Sequence, residues 1–181
     1  SNGYVSFTSI FPFSSSAPMF TIATLGFSPP ITLSIYTEPI MANELGFERM
    51  LLVGHIGKLI KVSGGIMNTH SSCADSRLEL LAAHALRAGA DADTARAVLE
   101  CVTTEEALQV LLKAGLLEQA MQYAIDKISY YISKRSDRTA IEVIMFSNEQ
   151  GELARTPKAM EYLEECFSSS EDVQMYVPFG N

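Results

Sequence analysis

The stretch MLLVGHIGKLIKVSGGIMNTHSSCADSR, Met50 to Arg77, decides how this chain is read. It opens on an apolar run, Met50-Leu51-Leu52-Val53, closed by Gly54. With the charged lead-in at Glu48, the pattern predicts a buried strand over 48–54. Residues 55–63 fit a short helix, and Gly64-Gly65 breaks it. Between Gly54 and Arg77 the chain gathers His55, Lys58, Lys61, Asn68, Thr69, His70, Asp75 and Arg77. Polar groups collected where a buried strand ends mark the place where open α/β sheets bind ligands.

Working outward, Cys73 or Ala74 to Ala88 reads as a helix. Leu78, Leu81, Ala82 and Ala85 fall at i, i+3, i+4 and i+7, and Gly89 is a C-terminal stop. Asp91 or Asp93 caps a short helix to Glu100. Thr103 and Glu106 form a capping box opening a helix that ends near Gly115. Residues 117–134 carry a continuous stripe of Met121, Ala124, Ile125, Ile128 and Ile132. Ile141–Phe146 is a second buried strand, with Ser147 to Gly151 as its turn. Pro157 suits the first position of a last helix that runs to about Phe167. This order predicts an α/β layered domain with a mostly parallel sheet covered by helices, those over 74–88 and 117–134. Two strands do not make a stable sheet. The others must come from residues 1–43, from another copy, or from a missing segment.

Composition narrows the classes. A chain of 181 residues can build a core without metals or disulfides. The net charge of −8 argues against a nucleic-acid binder. Three cysteines with no C-x-x-C pair point to a reducing, cytoplasmic setting and not to a structural zinc module. Residues 1–37 carry no charged side chain and are rich in Ser, Phe, Thr and Pro. They lack the basic segment of a signal peptide, and their prolines interrupt any membrane helix. Gly3 to Phe11 and Ile31 to Tyr36 fit short strands or extended arms. The domain plan is therefore an uncharged arm over 1–43, an α/β domain over 44–168 and a tail over 169–181.

The segment LGFERMLLVGHIGKLIKVSGGIMNTHSSCADSRLELLAAHA resembles the C-terminal half of the CbiD family. These are the cobalt-precorrin-5B C1-methyltransferases of anaerobic cobalamin (vitamin B12) biosynthesis. The resemblance is close from about Glu44 to His84 and looser to about Ser168. The family's N-terminal half has no counterpart here. The resemblance implies methyl transfer from S-adenosylmethionine to a cobalt-corrinoid precursor, with cobalt present only as part of the substrate. It also implies a partner, either the missing N-terminal half or a second copy of this chain. No nucleic acid, membrane or protein-bound metal is expected. The other reading is a non-catalytic tetrapyrrole- or partner-binding domain.

A cobalt-precorrin is a large, flat ring edged with carboxylates. Binding it needs spread-out cations, hydrogen-bond donors and a surface for the ring. Lys58, Lys61, Asn68, Thr69, Asp75 and Arg77 are expected to face the substrate, chiefly as carboxylate anchors, and Arg suits bidentate contact. His70 and His55 are the residues expected to supply a catalytic base. Glycines allow close approach of backbone to a planar ligand. Free amides at the start of the 55–63 helix could hold an anion. His84, mid-helix and off the apolar stripe, is expected to be structural or on the surface. Nothing in the chain marks a methyl-donor site.

Overall fold

The computed structural model describes residues 7–9, 20–25, 49–69 and 74–168, with side chains for 49–69 and 74–164. Five strands form one sheet in sequence order: β1 (Phe7–Ser9), β2 (Phe20–Leu25), β3 (Arg49–His55), β4 (Ala140–Ser147) and β5 (Gly151–Arg155). β2, β3 and β4 run parallel, while β1 and β5 pair antiparallel at the edges. The two strands expected from sequence are central neighbours. Met50 aligns with Ile141 and His55 with Phe146. The rest of the sheet comes from β1 and β2, within residues 1–43, the first of the three sources left open by the sequence, and from β5. Residues 31–36 lie outside the described residues. The sequence reading marked the turn from Ser147 to Gly151 and no strand after it, so β5 is an addition. It runs from Gly151 at φ 70° and pairs Arg155 with Ile144.

Between β3 and β4 the chain makes five helices: α1 (Ile56–Ser63), α2 (Arg77–Arg87), α3 (Ala92–Leu99), α4 (Thr104–Lys113) and α5 (Leu117–Ser133). A sixth, α6 (Ala159–Ser168), follows β5. Strand side chains alternate between faces, and each face has its own cover. Met50, Leu52, Val143 and Met145 join the large core under α1 and α5. Leu51 and Ile144 meet Ala159 and Tyr162 of α6 on the other side. The sheet is thus the middle of three layers. α5 lies on the strands, whereas α2 packs chiefly on α1, α3 and α5. The expectation that helix 74–88 covers the sheet is corrected in this respect: α2 forms a further layer outside α1.

α1 explains that layering. Of its eight residues only Lys58 is not buried, and Ile56, Leu59, Ile60 and Val62 are fully so. A helix covered on nearly every side belongs in a core. Each such side chain contributes about 1.5–3 kcal/mol through burial. α1 therefore sits between the sheet, α2 and α5, directly after β3. Among the described residues no helix is long and apolar enough to cross a membrane.

Candidate functional site

The carboxyl ends of β3 and β4 lie side by side, and His55 ends β3 there. The turn into α1 follows immediately, so His55 becomes the helix cap. Its Nδ1 accepts the Gly57 N–H at 3.1 Å. This cap occupies one of the amides that sequence offered to an anion. The ring is buried, and the Phe146 ring meets it edge-on at 5.6 Å between centroids. Its Nε2 faces Glu105 Oε1 at 3.5 Å. Burial lowers the His55 pKa, and the Glu105 carboxylate partly opposes that.

Glu105 was not singled out from sequence. It stands in the first turn of α4, fixed there by the Thr103–Glu106 capping box. Its Oε1 also accepts the backbone N–H of Asn148 at 3.2 Å, beyond the end of β4. Glu105 Oε2 is buried and takes no hydrogen bond among the described residues. One carboxylate thereby ties α4 to the ends of both central strands. The capping box located this helix turn in the sequence. Nothing local announced that the turn folds back onto His55.

Lys58 lies in the first turn of α1, whereas Lys61, Thr69, Asp75 and Arg77 gather toward its other end. An eight-residue helix separates its ends by about 10 Å. Lys61 is 1 % exposed, and its ammonium donates to the carbonyls of Thr69 at 3.2 Å and Ala74 at 2.7 Å. Those carbonyls lie on either side of residues 70–73. His70 itself lies outside the described residues. Asp75 and Arg77 form a two-pronged pair, Nε to Oδ1 at 2.7 Å and Nη2 to Oδ2 at 2.9 Å. Arg77 beside it holds the Asp75 carboxyl below its usual range, and Lys61 adds to the effect. Asn68 is exposed, Thr69 buried and Lys58 half-buried. The structure joins Lys61 to Thr69 and Asp75 to Arg77, and sets both pairs apart from His55.

The glycines of this stretch serve the protein's own packing. A Cβ on Gly54 would stand 2.8 Å from Leu59 Cγ, and one on Gly64 would stand 2.7 Å from Leu80 Cδ2. His84 is buried against the same helix. The Ser63 hydroxyl donates to the Ile60 carbonyl at 2.7 Å, so its oxygen accepts the His84 Nε2–H at 2.8 Å. Burial, with Arg87 and Lys127 nearby, pushes the His84 pKa down to about 4.

Residues 68–157 match the family model described as CbiD, C-terminal domain. Proteins named cobalt-precorrin-5B C(1)-methyltransferase are similar over a longer stretch. The one from Thermoanaerobacter sp. (strain X514) is 42% identical over 124 residues, which are 67% of this chain and 34% of that protein. The one from Alkaliphilus metalliredigens is 44% identical over 118 residues, 65% of this chain and 31% of that protein. The one from Listeria monocytogenes serotype 4b (strain CLIP80459) is 37% identical over 145 residues, 74% of this chain and 38% of that protein. The chain spans about a third of the length of these relatives. No solved structure matches it. Both comparisons thus find similarity to the family named from sequence, the family model over residues 68–157.

Proposed function

We propose, from a chain that carries the likeness of a CbiD C-terminal domain, that it is part of an enzyme methylating C1 of cobalt-precorrin-5B in cobalamin biosynthesis. The match of residues 68–157 to that domain carries the reading. The setting we infer is the cytoplasm. The partner we infer is the remaining length that the relatives have and this chain lacks, or a second copy of this chain.

The substrate is a polycarboxylate, so cations near the 68–77 segment supply its anchors. Arg77 has five N–H donors, and Asp75 engages two nitrogens of the fork. The others are available to a substrate carboxylate while Asp75 keeps the guanidinium oriented. Lys58 adds a second charge from α1, and the exposed Asn68 adds a side-chain donor. Lys61 contributes differently, since its ammonium holds the carbonyls of Thr69 and Ala74. We read it as the support of the segment that bears Asn68, Thr69 and His70. Any proton removal at the substrate is assigned to His70.

S-adenosylmethionine supplies an electrophilic methyl group on a sulfonium. The transfer needs in-line positioning of donor and acceptor more than a protein nucleophile. The test is binding to the full-length protein. Arg77→Ala and Lys58→Ala should each weaken corrinoid binding roughly tenfold, the loss of one charge-assisted contact, and leave donor binding unchanged. Corrinoid affinity equal to the parent's in both variants would refute carboxylate anchoring at this segment.

A further inference from the structure

We propose that Lys127 and Lys134, gathered by the ring of Tyr130, form a second carboxylate anchor on the seam between α2 and α5. The inference rests on the reading that the ligand is a carboxylate-edged tetrapyrrole held near the 68–77 segment. It adds three residues that sequence did not mark for the site.

Tyr123, Lys127, Tyr130 and Lys134 follow at i, i+4, i+7 and i+11, so α5 turns them to one side. There two ammonium groups share one ring. Lys134 Nζ stands 4.1 Å from the Tyr130 centroid and Lys127 Nζ 5.3 Å. The negative face of the ring attracts both cations. On the same seam Arg87 of α2 stands over Tyr123, 5.8 Å from its centroid. Tyr130 is 48 % exposed and Lys134 is exposed, so the cluster is open to a ligand. Arg87, Lys127 and Lys134 take part in no ion pair among the described residues. A chain of net charge −8 thus carries a seam that is locally positive. The helix dipole accounts for Lys134 at the close of α5. It does not account for Lys127, about two turns earlier.

The cluster adjoins the segment assigned to the substrate. The Tyr130 ring meets the Tyr131 ring edge-on at 5.2 Å. A Cβ on Gly65 would stand 3.1 Å from Tyr131 Cε1, and Gly65 leads into Asn68 and Thr69. α2 and α5 also pack on each other. Arg87 meets Tyr123, and the charge of Lys127 acts on His84. The two helices therefore run antiparallel. Arg77, which opens α2, shares one end of the pair with Lys134, which closes α5. The seam is about 15 Å long, with cations spaced along it. Spaced cations suit a ligand whose carboxylates stand apart around a ring.

Absorbance titration of the 181-residue chain with uroporphyrin, a tetrapyrrole octacarboxylate, tests this. The parent should bind it. Lys127→Gln and Lys134→Gln should each weaken binding roughly threefold, and the double variant about tenfold, at unchanged helix content. Tyr130→Leu keeps both charges and should still weaken binding roughly threefold, because the ammonium groups lose the ring that places them. Tyr130→Phe keeps the ring face and should bind about as tightly as the parent. Lys113→Gln, which removes the same charge from α4, should leave affinity unchanged. A parent that does not bind, a double variant with the parent's affinity, or an equal loss in Lys113→Gln would overturn the proposal. So would a Tyr130→Leu variant as tight as the parent, or a Tyr130→Phe variant as weak as Tyr130→Leu. The titration needs neither methyl donor nor turnover. Absence of methyl transfer would strike the methyltransferase reading and leave this anchor standing.

Discussion

Acidification should destabilise this domain through His84, and the structure sets the size of the effect. The residue is 4 % exposed, and its Nδ1 has no hydrogen-bond partner among the described residues. Its Nε2–H is spent on Ser63. Burial first, then the charges of Arg87 and Lys127, bring its pKa from 6.5 to about 4. Above 6.5 the ring is neutral whether the chain is folded or unfolded, so it adds no pH dependence. Between 6.5 and about 4 only the unfolded chain takes the proton, and stability falls as pH falls. The slope reaches about 1.4 kcal/mol per pH unit, and the loss levels off near 3 kcal/mol once both states are protonated. Urea unfolding across this window measures it, with His84→Gln beside the parent. Glutamine keeps an N–H for Ser63 and cannot take up a proton. His55 titrates in both proteins and cancels in the comparison. The parent should lose up to about 3 kcal/mol more than the variant between neutral pH and pH 4. Parallel losses in the two proteins would refute the reasoning, as would a folded-state His84 midpoint near 6.5.

Two further substitutions probe the turn after β3. Lys61→Met leaves the carbonyls of Thr69 and Ala74 without their charged donor. It should cost about 2–4 kcal/mol in urea unfolding at unchanged m-value, and an unchanged midpoint would count against the support assigned to Lys61. Gly54→Ala drives a methyl group against the buried Leu59, 2.8 Å from its Cγ. Overpacking of this kind should cost roughly 1–3 kcal/mol, read as a lower Tm, and a neutral substitution would show that Leu59 can move aside.

The central elements were legible because their patterns are local. Apolar runs marked β3 and β4, and the Ile125–Ile128–Ile132 stripe marked α5, whose members are buried as expected. The Thr103–Glu106 box is present in full. β5 was not legible because Gly-Glu-Leu-Ala-Arg is short and charged, and it becomes a strand by pairing with β4. Lys61 shows a different limit. Three residues from Lys58, it was expected to face the substrate as a carboxylate anchor. The apolar residues of α1 lie on one broad face, so its pattern gave no sign that the helix is central enough to bury that ammonium as well. Glu105 escaped notice because its partners, His55 and Asn148, are distant in sequence and meet it only once the parallel strands align. Function was legible through resemblance, since neither spacing nor composition names a corrinoid.

Methyl transfer to cobalt-precorrin-5B from labelled S-adenosylmethionine tests the central claim most directly. The assay compares the 181-residue chain alone with the same chain supplied with the N-terminal length its relatives possess. The account predicts one methyl group on C1 of the product from the completed protein, and at most trace turnover from the chain alone. A completed protein that binds the substrate and leaves C1 unmethylated would contradict it.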